Sequence, residues 1–371
     1  MSFSKNLGLL YYLFPFIFVT KNKISLILSI LRGAKYHKIK LLDGTVVKFH
    51  YLQFNTMLAF LGILTFANSY SVKQDRKLEV VFGKRSKFTI PLDNMTFEDS
   101  NLILTLFGCL RHGADFVTNE EDFRYRRDKT IKITEENGKK ILELANGIKF
   151  YIDSIHPGNT ITATFTQDIH TMNREKNWSG KTVIDVGPEC GDTPLYYANL
   201  GARVYAFEPI KAHYDAMIKN IELNPHLAER ITPINAAIGK DGMLTFYQNA
   251  KANIAEMASY VYNVHGKDVK TTQVKGYSFR SLFTEFKISH VDLFKIDCKG
   301  CEFELTPDVL ENVDAVKISN TYDENPERRQ EKLIDMLESA GFRCVAYRVN
   351  PNRDRQSTSK TAQIYGIKVP K

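Results

Sequence analysis

The chain has 371 residues, 43% apolar and 25% charged, which supplies material for two domain-sized cores and is too apolar for a disordered or fibrous protein. Its formal charge of +8 is uneven: residues 1–70 hold Lys5, Lys21, Lys23, Arg32, Lys35, Lys38, Lys40 and Lys48 against the single acid Asp43, leaving +1 for the other 301. That distribution argues against a nucleic-acid groove spread over the whole protein. Five cysteines, an odd total in so long a chain, do not make a secreted disulfide scaffold and point to a reducing, cytoplasmic compartment.

The N-terminal segment, 1–37, carries an apolar stretch from Leu7 to Val19 that is broken by Pro15 and followed by Lys21 and Lys23. A spanning helix needs about 20 apolar residues, so this stretch is too short. A signal peptide would place its charges ahead of the apolar run, where only Lys5 stands, and Thr20-Lys21 is a poor cleavage site. Tyr11, Tyr12, Phe14, Phe16 and Phe18 followed by basic residues suit a membrane surface, and a buried first helix is the other reading. Met57 to Ala67, flanked by Gln53, Asn55 and Asn68 and containing Thr65, reads as a core helix.

Residues 38–170 form a β-rich (α+β) accessory region. Lys38–Leu42, Asp43-Gly44 and Thr45–His50 predict a hairpin, and Lys139–Leu144, Asn146-Gly147 and Ile148–Ile152 predict another. The two stretches look alike, and shared turn chemistry explains this better than duplication. Ser100 to Leu110 reads as a helix, and Arg124, Arg126 and Arg127 as a solvated face.

From about residue 171 to the end, short apolar runs alternate with amphipathic stretches, the signature of a parallel sheet covered by helices. Strands are predicted at Thr182–Val186, Arg203–Phe207, Ile231–Asn235, Leu244–Tyr247, His290–Ile296 and Ala315–Ile318. Helices follow at Pro194–Leu200, Lys211–Leu223 and Pro326–Ala340. Phe342–Val349 and Gln363–Val369 close the chain as an antiparallel pair, joined by a polar, mobile segment from Arg353 to Lys360.

Chemistry concentrates at the first of these strands. Asp185 ends a buried strand, and Gly187 and Gly191 shape the turn into a helix, whose free amides and absent Cβ atoms admit a ligand. Glu208 ends the next strand, where an acid accepts both hydroxyls of a ribose. Together these predict a nucleoside cofactor. The turn Gly187-Pro188-Glu189-Cys190-Gly191 lacks a third glycine, and Glu189 repels a pyrophosphate. A cofactor without phosphate and with a sulfonium cation, S-adenosylmethionine, tolerates Asp185 and Glu189, so a Rossmann oxidoreductase is the weaker reading.

Three segments resemble the FkbM-like S-adenosylmethionine-dependent methyltransferases: VIDVGPECGDTPLYYANLGARVYAFEP (Val183 to Pro209), NAAIG (Asn235 to Gly239) and DLFKIDCKGCEFE (Asp292 to Glu304), with Thr164 to Thr182 similar as a lead-in. The resemblance covers roughly the last 210 residues. It implies the Rossmann-like class I fold, a seven-stranded sheet with its last pair antiparallel, and an O-methyltransferase acting on hydroxyls of sugars, glycolipids or related small molecules. It places Gly187 and Gly191 at the methionine end of the cofactor, Asp185 on its amino group, directly or through water, Glu208 on its ribose, and Asn235 and Ala236 near its adenine. It also places Asp297 at the transferred methyl. A hydroxyl nucleophile needs a base or a cation to share its proton or charge. Asp297 and Glu302 are the candidates, with a helix-capping role as the alternative for Glu302.

The sequence departs from the family pattern at Glu189, where Asn is usual, at Lys299, where an acid is usual, and from Ser319-Asn320 to Tyr322, where an acid and a His are common. Glu189 and Lys299 are expected on adjacent loops, where an ion pair would compensate both changes. Cys190, Cys298 and Cys301 are expected close together, and Cys298-Lys299-Gly300-Cys301 is a C-x-x-C; small filler in buried turns is favoured over a metal or redox role, since three thiols lack the fourth ligand of a structural zinc site, and no metal is assigned. His213 and His265 read as surface residues near the cofactor. Tyr260, Tyr262 and Tyr277 lie in the segment that usually contributes to the acceptor pocket. The chain as a whole reads as a cytoplasmic methyltransferase, peripheral to a membrane if residues 1–40 dock there. A non-catalytic module with a degenerate cofactor site and an RNA methyltransferase are the rival functions.

Overall fold

In the computed structural model the residues described are 13–83, 86–156, 160–170, 175–249, 269–321, 330–348 and 361–369. Tyr11, Tyr12, Tyr260, Tyr262, His265 and Tyr322, the start of the predicted helix at Pro326, and the segment 353–360 lie outside them, as do the side chains of Phe14, Phe16 and Asn320. The chain divides into two compact units, Met1–Ile169 and His170–Lys371.

The N-terminal unit is built from small antiparallel sheets and apolar helices. Tyr36–Lys40 and Val46–His50 pair as the first predicted hairpin, and Lys139–Leu144 pairs with Lys149–Tyr151 as the second. The apolar stretch after residue 53 is a helix, Phe54–Phe66, with most of its side chains buried. Burial on nearly every face explains its weak amphipathic pattern. It packs against a second helix, Phe97–Leu110. Thr96 caps that helix reciprocally with Asp99, satisfying two amide donors that the first turn leaves open. Asn101, fully buried, is satisfied by the carbonyls of Ile152 and Ile155. Arg124, Arg126 and Arg127 are exposed, as the charge pattern indicated.

Near the N-terminus, where a membrane-surface segment and a buried first helix are the two readings, the described residues form a short 3-10 turn, Phe14–Val19, and a helix, Lys23–Leu31. Leu13, Ile17, Leu26 and Ile30 are buried, while Phe18 and Ile24 stand 60% and 76% exposed. Strict alternation in the following hairpin sends His37, Ile39, Val47 and Phe49 inward. Tyr36, Lys38, Lys40, Val46 and Lys48 face outward, with Lys38 directly opposite Lys48.

The C-terminal unit carries the seven-stranded sheet. Its strands are β1 (Thr182–Val186), β2 (Arg203–Phe207), β3 (Ile231–Ile234), β4 (Leu293–Ile296), β5 (Ala315–Thr321), β6 (Phe342–Arg348) and β7 (Thr361–Lys368). Their spatial order is β3-β2-β1-β4-β5-β7-β6. The first five run parallel and β7 is antiparallel to both neighbours. This is the class I methyltransferase architecture, with the topological reversal between β1 and β4 where such sheets open a ligand crevice. Helices α1 (Asp192–Asn199) and α2 (Lys211–Glu222) follow β1 and β2. Both faces of the sheet are covered, so β1 and β4 read as nearly continuous apolar runs. Ala237–Gly239, Gly242–Asn249 and Val269–Ser278 form a separate three-stranded sheet. The strand predicted at Leu244–Tyr247 belongs there rather than to the main sheet.

Candidate functional site

The site grows from the end of β1. Gly187 adopts φ +79°, and a Cβ there would collide with the carbonyl oxygen of Asp297. Its amide donates to Phe207 O at 3.0 Å, so one residue ties the ends of β1, β2 and β4 together. Glu189 and Lys299 also sit in the left-handed region, at φ 50° and 56°. Gly191, at φ +87°, caps α1, and a Cβ there would lie 2.8 Å from Met217 Cγ of α2. Asn220, buried on α2, donates to Cys190 O at 2.9 Å and pins the turn from behind. Both glycines are thus required first by the packing of the turn itself.

Beneath the turn a charged row crosses the sheet. Asp185, Lys295 and Lys317 are direct cross-strand neighbours on β1, β4 and β5, and all three are buried. Lys295 Nζ lies 2.7 Å from Asp185 Oδ1 and donates to Gly187 O at 3.0 Å. The other oxygen of Asp185 accepts from Thr193 Oγ1 on α1. Burial works to discharge Lys295, and Asp185 with Asp297 overcomes it, holding the ammonium above its ordinary range. Lys317 Nζ meets His170 Nδ1. Burial, reinforced by Lys295 next to it, brings Lys317 down to about 7. Burial and the same two lysines hold His170 well below the ordinary imidazole value. Asp185 therefore faces protein groups, and any action on a ligand passes through Lys295 and the Gly187 carbonyl.

Glu208 is buried at the tip of β2. Its Oε2 accepts the Glu189 amide at 3.0 Å and its Oε1 accepts the Ile210 amide at 2.9 Å. Each carboxylate oxygen retains a second acceptor position, so the glycine turn and the β2 tip are joined without exhausting the carboxylate. His213, expected at the surface, is buried on α2 with Nδ1 3.6 Å from Glu208 Oε1. Asn235 is exposed beyond β3, and its side-chain amide donates to Glu208 O at 2.8 Å and Pro209 O at 3.2 Å. Ala236 is buried behind it. Tyr277 packs edge-on against Phe286 at 5.4 Å and belongs to the core.

At the tip of β4, Asp297 is partly exposed, and its amide donates to Val186 O at 2.8 Å. Burial of this carboxyl would raise its pKa, and the ammonium groups of Lys299, Lys295 and Lys317 outweigh that and hold it below the usual carboxylate range. Lys299, expected opposite Glu189, donates to Asp297. Cys298 and Cys301 are joined by a disulfide, whereas Cys190 is a buried thiol outside it. Glu302 is fully buried behind them, its Oε2 accepting the Gly300 amide at 2.7 Å. Burial pushes it up to about 7. Its carboxylate is turned back on the Gly300 amide ahead of the 3-10 turn Cys301–Glu304, so of the two catalytic candidates only Asp297 is partly exposed.

Among the described residues, the carboxyl ends of the strands thus bring together Glu189, Asp192, Glu208 and Asp297, with Lys299 beside Asp297. This donor set fits a ligand with hydroxyls and a positive charge and disfavours a diphosphate. Lys295 and Lys317 escaped the sequence reading, although they had a signal: each interrupts an otherwise apolar buried strand, FKI and VKI, where a charge needs a partner. His213 was read beside the cofactor, but at the surface rather than buried against Glu208.

Residues 185–344 match the family described as the methyltransferase FkbM domain. No curated protein matches the sequence. Similar solved structures include methyltransferase FkbM from Methylobacillus flagellatus KT, 14% identical, TM-score 0.33, covering 51% of this chain and 44% of that one. Precorrin-6y C5,15-methyltransferase from Geobacter metallireducens GS-15 is 12% identical with a TM-score of 0.34, covering 58% and 94% of the two chains. An rRNA methylase from Streptococcus thermophilus is 14% identical with a TM-score of 0.34, covering 55% and 96%. The matched segment, 185–344, lies within the C-terminal unit and is similar to the FkbM methyltransferase domain, and this supports a methyltransferase of the S-adenosylmethionine-dependent kind.

Proposed function

We propose that the C-terminal unit binds S-adenosylmethionine at the ends of β1, β2 and β4 and methylates a hydroxyl oxygen of a sugar, glycolipid or related small molecule. The observation that carries this reading is the joining of Glu208 to the glycine turn through the Glu189 amide, with Asp297 at the neighbouring tip. When bound, the cofactor supplies an electrophilic methyl group on a sulfonium. Glu208 offers its remaining acceptor positions to the ribose hydroxyls, and Asn235 holds the β2 and β3 tips at the spacing that an adenine edge would meet. The acidic rim favours the sulfonium and ammonium charges. Lys295 fixes Asp185 and the Gly187 carbonyl, so this backbone needs no reorganisation when a ligand arrives. Asp297 accepts a hydrogen bond from the acceptor hydroxyl, orienting it in line and taking its proton as the new bond forms. Glu302 serves by shaping the segment that carries Asp297 and Lys299.

The test is methyl transfer to a panel of sugars, glycolipids and RNA, read by mass spectrometry. Product on a hydroxylated small molecule supports the reading. Product on RNA alone replaces it with an RNA methyltransferase, and cofactor binding without any product replaces it with a binding module.

We also propose that the protein acts from the cytoplasmic side at an anionic membrane surface, docking through its N-terminal unit. Lys38 and Lys48 stand directly opposite on the outward hairpin face, with Lys40 beside them. Like charges in that register repel, which a negatively charged surface relieves. The N-terminal unit also exposes Phe18 and Ile24 at 60% and 76%, and Leu52 at 74%. Apolar side chains of that kind enter a headgroup boundary and contribute nothing to phosphates of a nucleic acid. No helix among the described residues is long and apolar enough to cross a membrane.

A further inference from the structure

The disulfide Cys298–Cys301 sits in the segment between β4 and the 3-10 turn, next to Asp297 and Lys299. It closes the short Cys-Lys-Gly-Cys loop, which stabilises little against unfolding because the loop entropy removed grows with loop length. Three further observations set it apart from a structural bridge. Cys298 is partly exposed while Cys301 is buried, so one sulfur is open to attack and the other is a shielded leaving group. Glu302 Oε2 lies 3.2 Å from Cys298 Sγ, and the two sulfurs and a carboxylate oxygen of Glu302 lie within 4.8 Å of one another. Glu302 Oε1 is buried with no hydrogen-bond partner. The charged groups around Glu302 are Asp297 and Lys299 on its own segment, and the Lys240–Glu304 pair where the Ala237–Gly239 strand packs on the turn.

We propose that Cys298 and Cys301 are a redox couple that exchanges with dithiols, that Glu302 relays its proton, and that reduction loosens the methyl-transfer site. A dithiol reductant attacks Cys298 Sγ as its thiolate, the S–S bond breaks, and Cys301 leaves as a thiolate that takes a proton from the Glu302 carboxyl. The second thiol of the reductant then attacks its own sulfur in the mixed disulfide and departs as the oxidised disulfide. Cys298 is released as a thiolate, takes up the remaining proton and donates to the Glu302 carboxylate. The proton shed by the attacking thiol returns through solvent to Glu302 in place of the one given to Cys301, so the net transfer from the reductant to the pair is two electrons and two protons. Once open, the segment loses the cross-link that holds Lys299 in its left-handed conformation beside Asp297.

The exchange stands on the geometry of the pair alone, and only its effect on activity rests on the reading of Asp297 given above. The first measurement counts thiols in the full chain by alkylation under denaturing quench and mass spectrometry, before and after dithiothreitol. The chain holds five cysteines, three of them free. The expected count is three before and five after, returning to three with oxidised dithiothreitol. A count that does not change in either direction overturns the couple. At pH 6, Glu302→Gln is expected to slow reduction by about tenfold or more, converging with the wild type above pH 8, as loss of a general acid requires. Equal rates at pH 6 remove Glu302 from the relay. Reduced wild type and the Cys298→Ser/Cys301→Ser variant are both expected to bind S-adenosylmethionine severalfold more weakly in calorimetry than the oxidised protein. Unchanged affinity at a count of five overturns the control of the site and leaves the couple intact.

Discussion

Asp185 and Lys295 face each other in register across β1 and β4, their charges 2.7 Å apart and both side chains enclosed. Removing one partner leaves an uncompensated buried charge, which costs about 3–5 kcal/mol. Lys295→Met should therefore destabilise strongly in urea unfolding of the full chain. Asp185→Asn/Lys295→Met should lose much less than the sum of the two single changes. Additive losses would mean that the pair does not interact.

The two glycines of the turn should respond differently to alanine. At Gly187 the obstacle is a backbone oxygen, Asp297 O, which cannot move without separating β1 from β4. At Gly191 it is Met217 Cγ, part of a flexible side chain. Both changes meet the left-handed penalty, about 1–3 kcal/mol. Gly187→Ala should add loss of S-adenosylmethionine binding to that cost, while Gly191→Ala should retain binding. The opposite ranking in paired stability and calorimetry measurements would show that the turn is held otherwise.

Two buried groups give opposite pH signatures. Glu302 rises from an ordinary value of 4.5 to about 7 on folding, so its contribution to stability is present below pH 4.5 and lost as pH climbs to about 7. Lys317 falls from 10.5 to about 7, so its contribution is present above pH 10.5 and lost as pH drops toward 7. Glu302→Gln should flatten the stability profile between pH 5 and 7, and Lys317→Met should flatten it between pH 7 and 10. Urea midpoints across pH check both, and unaltered slopes would contradict the burial of these charges.

Much of the C-terminal unit was legible because parallel strands buried on both faces have to be short apolar runs separated by helices. β1 and β2 fall on the predicted residues, and the antiparallel closing pair is where two apolar runs after Gly341 required it. Glu208 was legible for a related reason, since an acid ending such a run has few uses besides a ligand or a turn, and it serves the turn directly. The Asp185–Lys295–Lys317 row was not read, because alignment across strands depends on register, which no single segment states. The disulfide was not assigned because the C-x-x-C of Cys298 and Cys301 was read as buried filler in preference to a metal or redox role, and the fold turns the two sulfurs toward each other and Glu302. Near the N-terminus, the helix Lys23–Leu31 follows the apolar stretch that ends at Val19 and was not read from the sequence, and Asn22 ahead of it bonds Lys38 O and Lys40 N of the hairpin.

The membrane proposal predicts a salt-dependent effect. Lys38→Glu/Lys48→Glu should abolish co-flotation with vesicles containing phosphatidylserine at physiological salt, and wild type should not float with neutral vesicles. Each lysine near the surface contributes about 1 kcal/mol, so two reversals exceed a tenfold loss. Equal flotation of variant and wild type would remove the hairpin face from docking.

The most direct test of the central claim is calorimetric titration of the full chain with S-adenosylmethionine, for wild type, Glu208→Ala and Asp297→Asn. The account predicts saturable one-site binding to wild type, loss of about tenfold or more in Glu208→Ala, where charge-assisted bonds to the ribose disappear, and retained binding with abolished methyl transfer in Asp297→Asn. Wild type that takes up no cofactor, or Glu208→Ala that binds it as tightly as wild type, would contradict the assignment of this crevice.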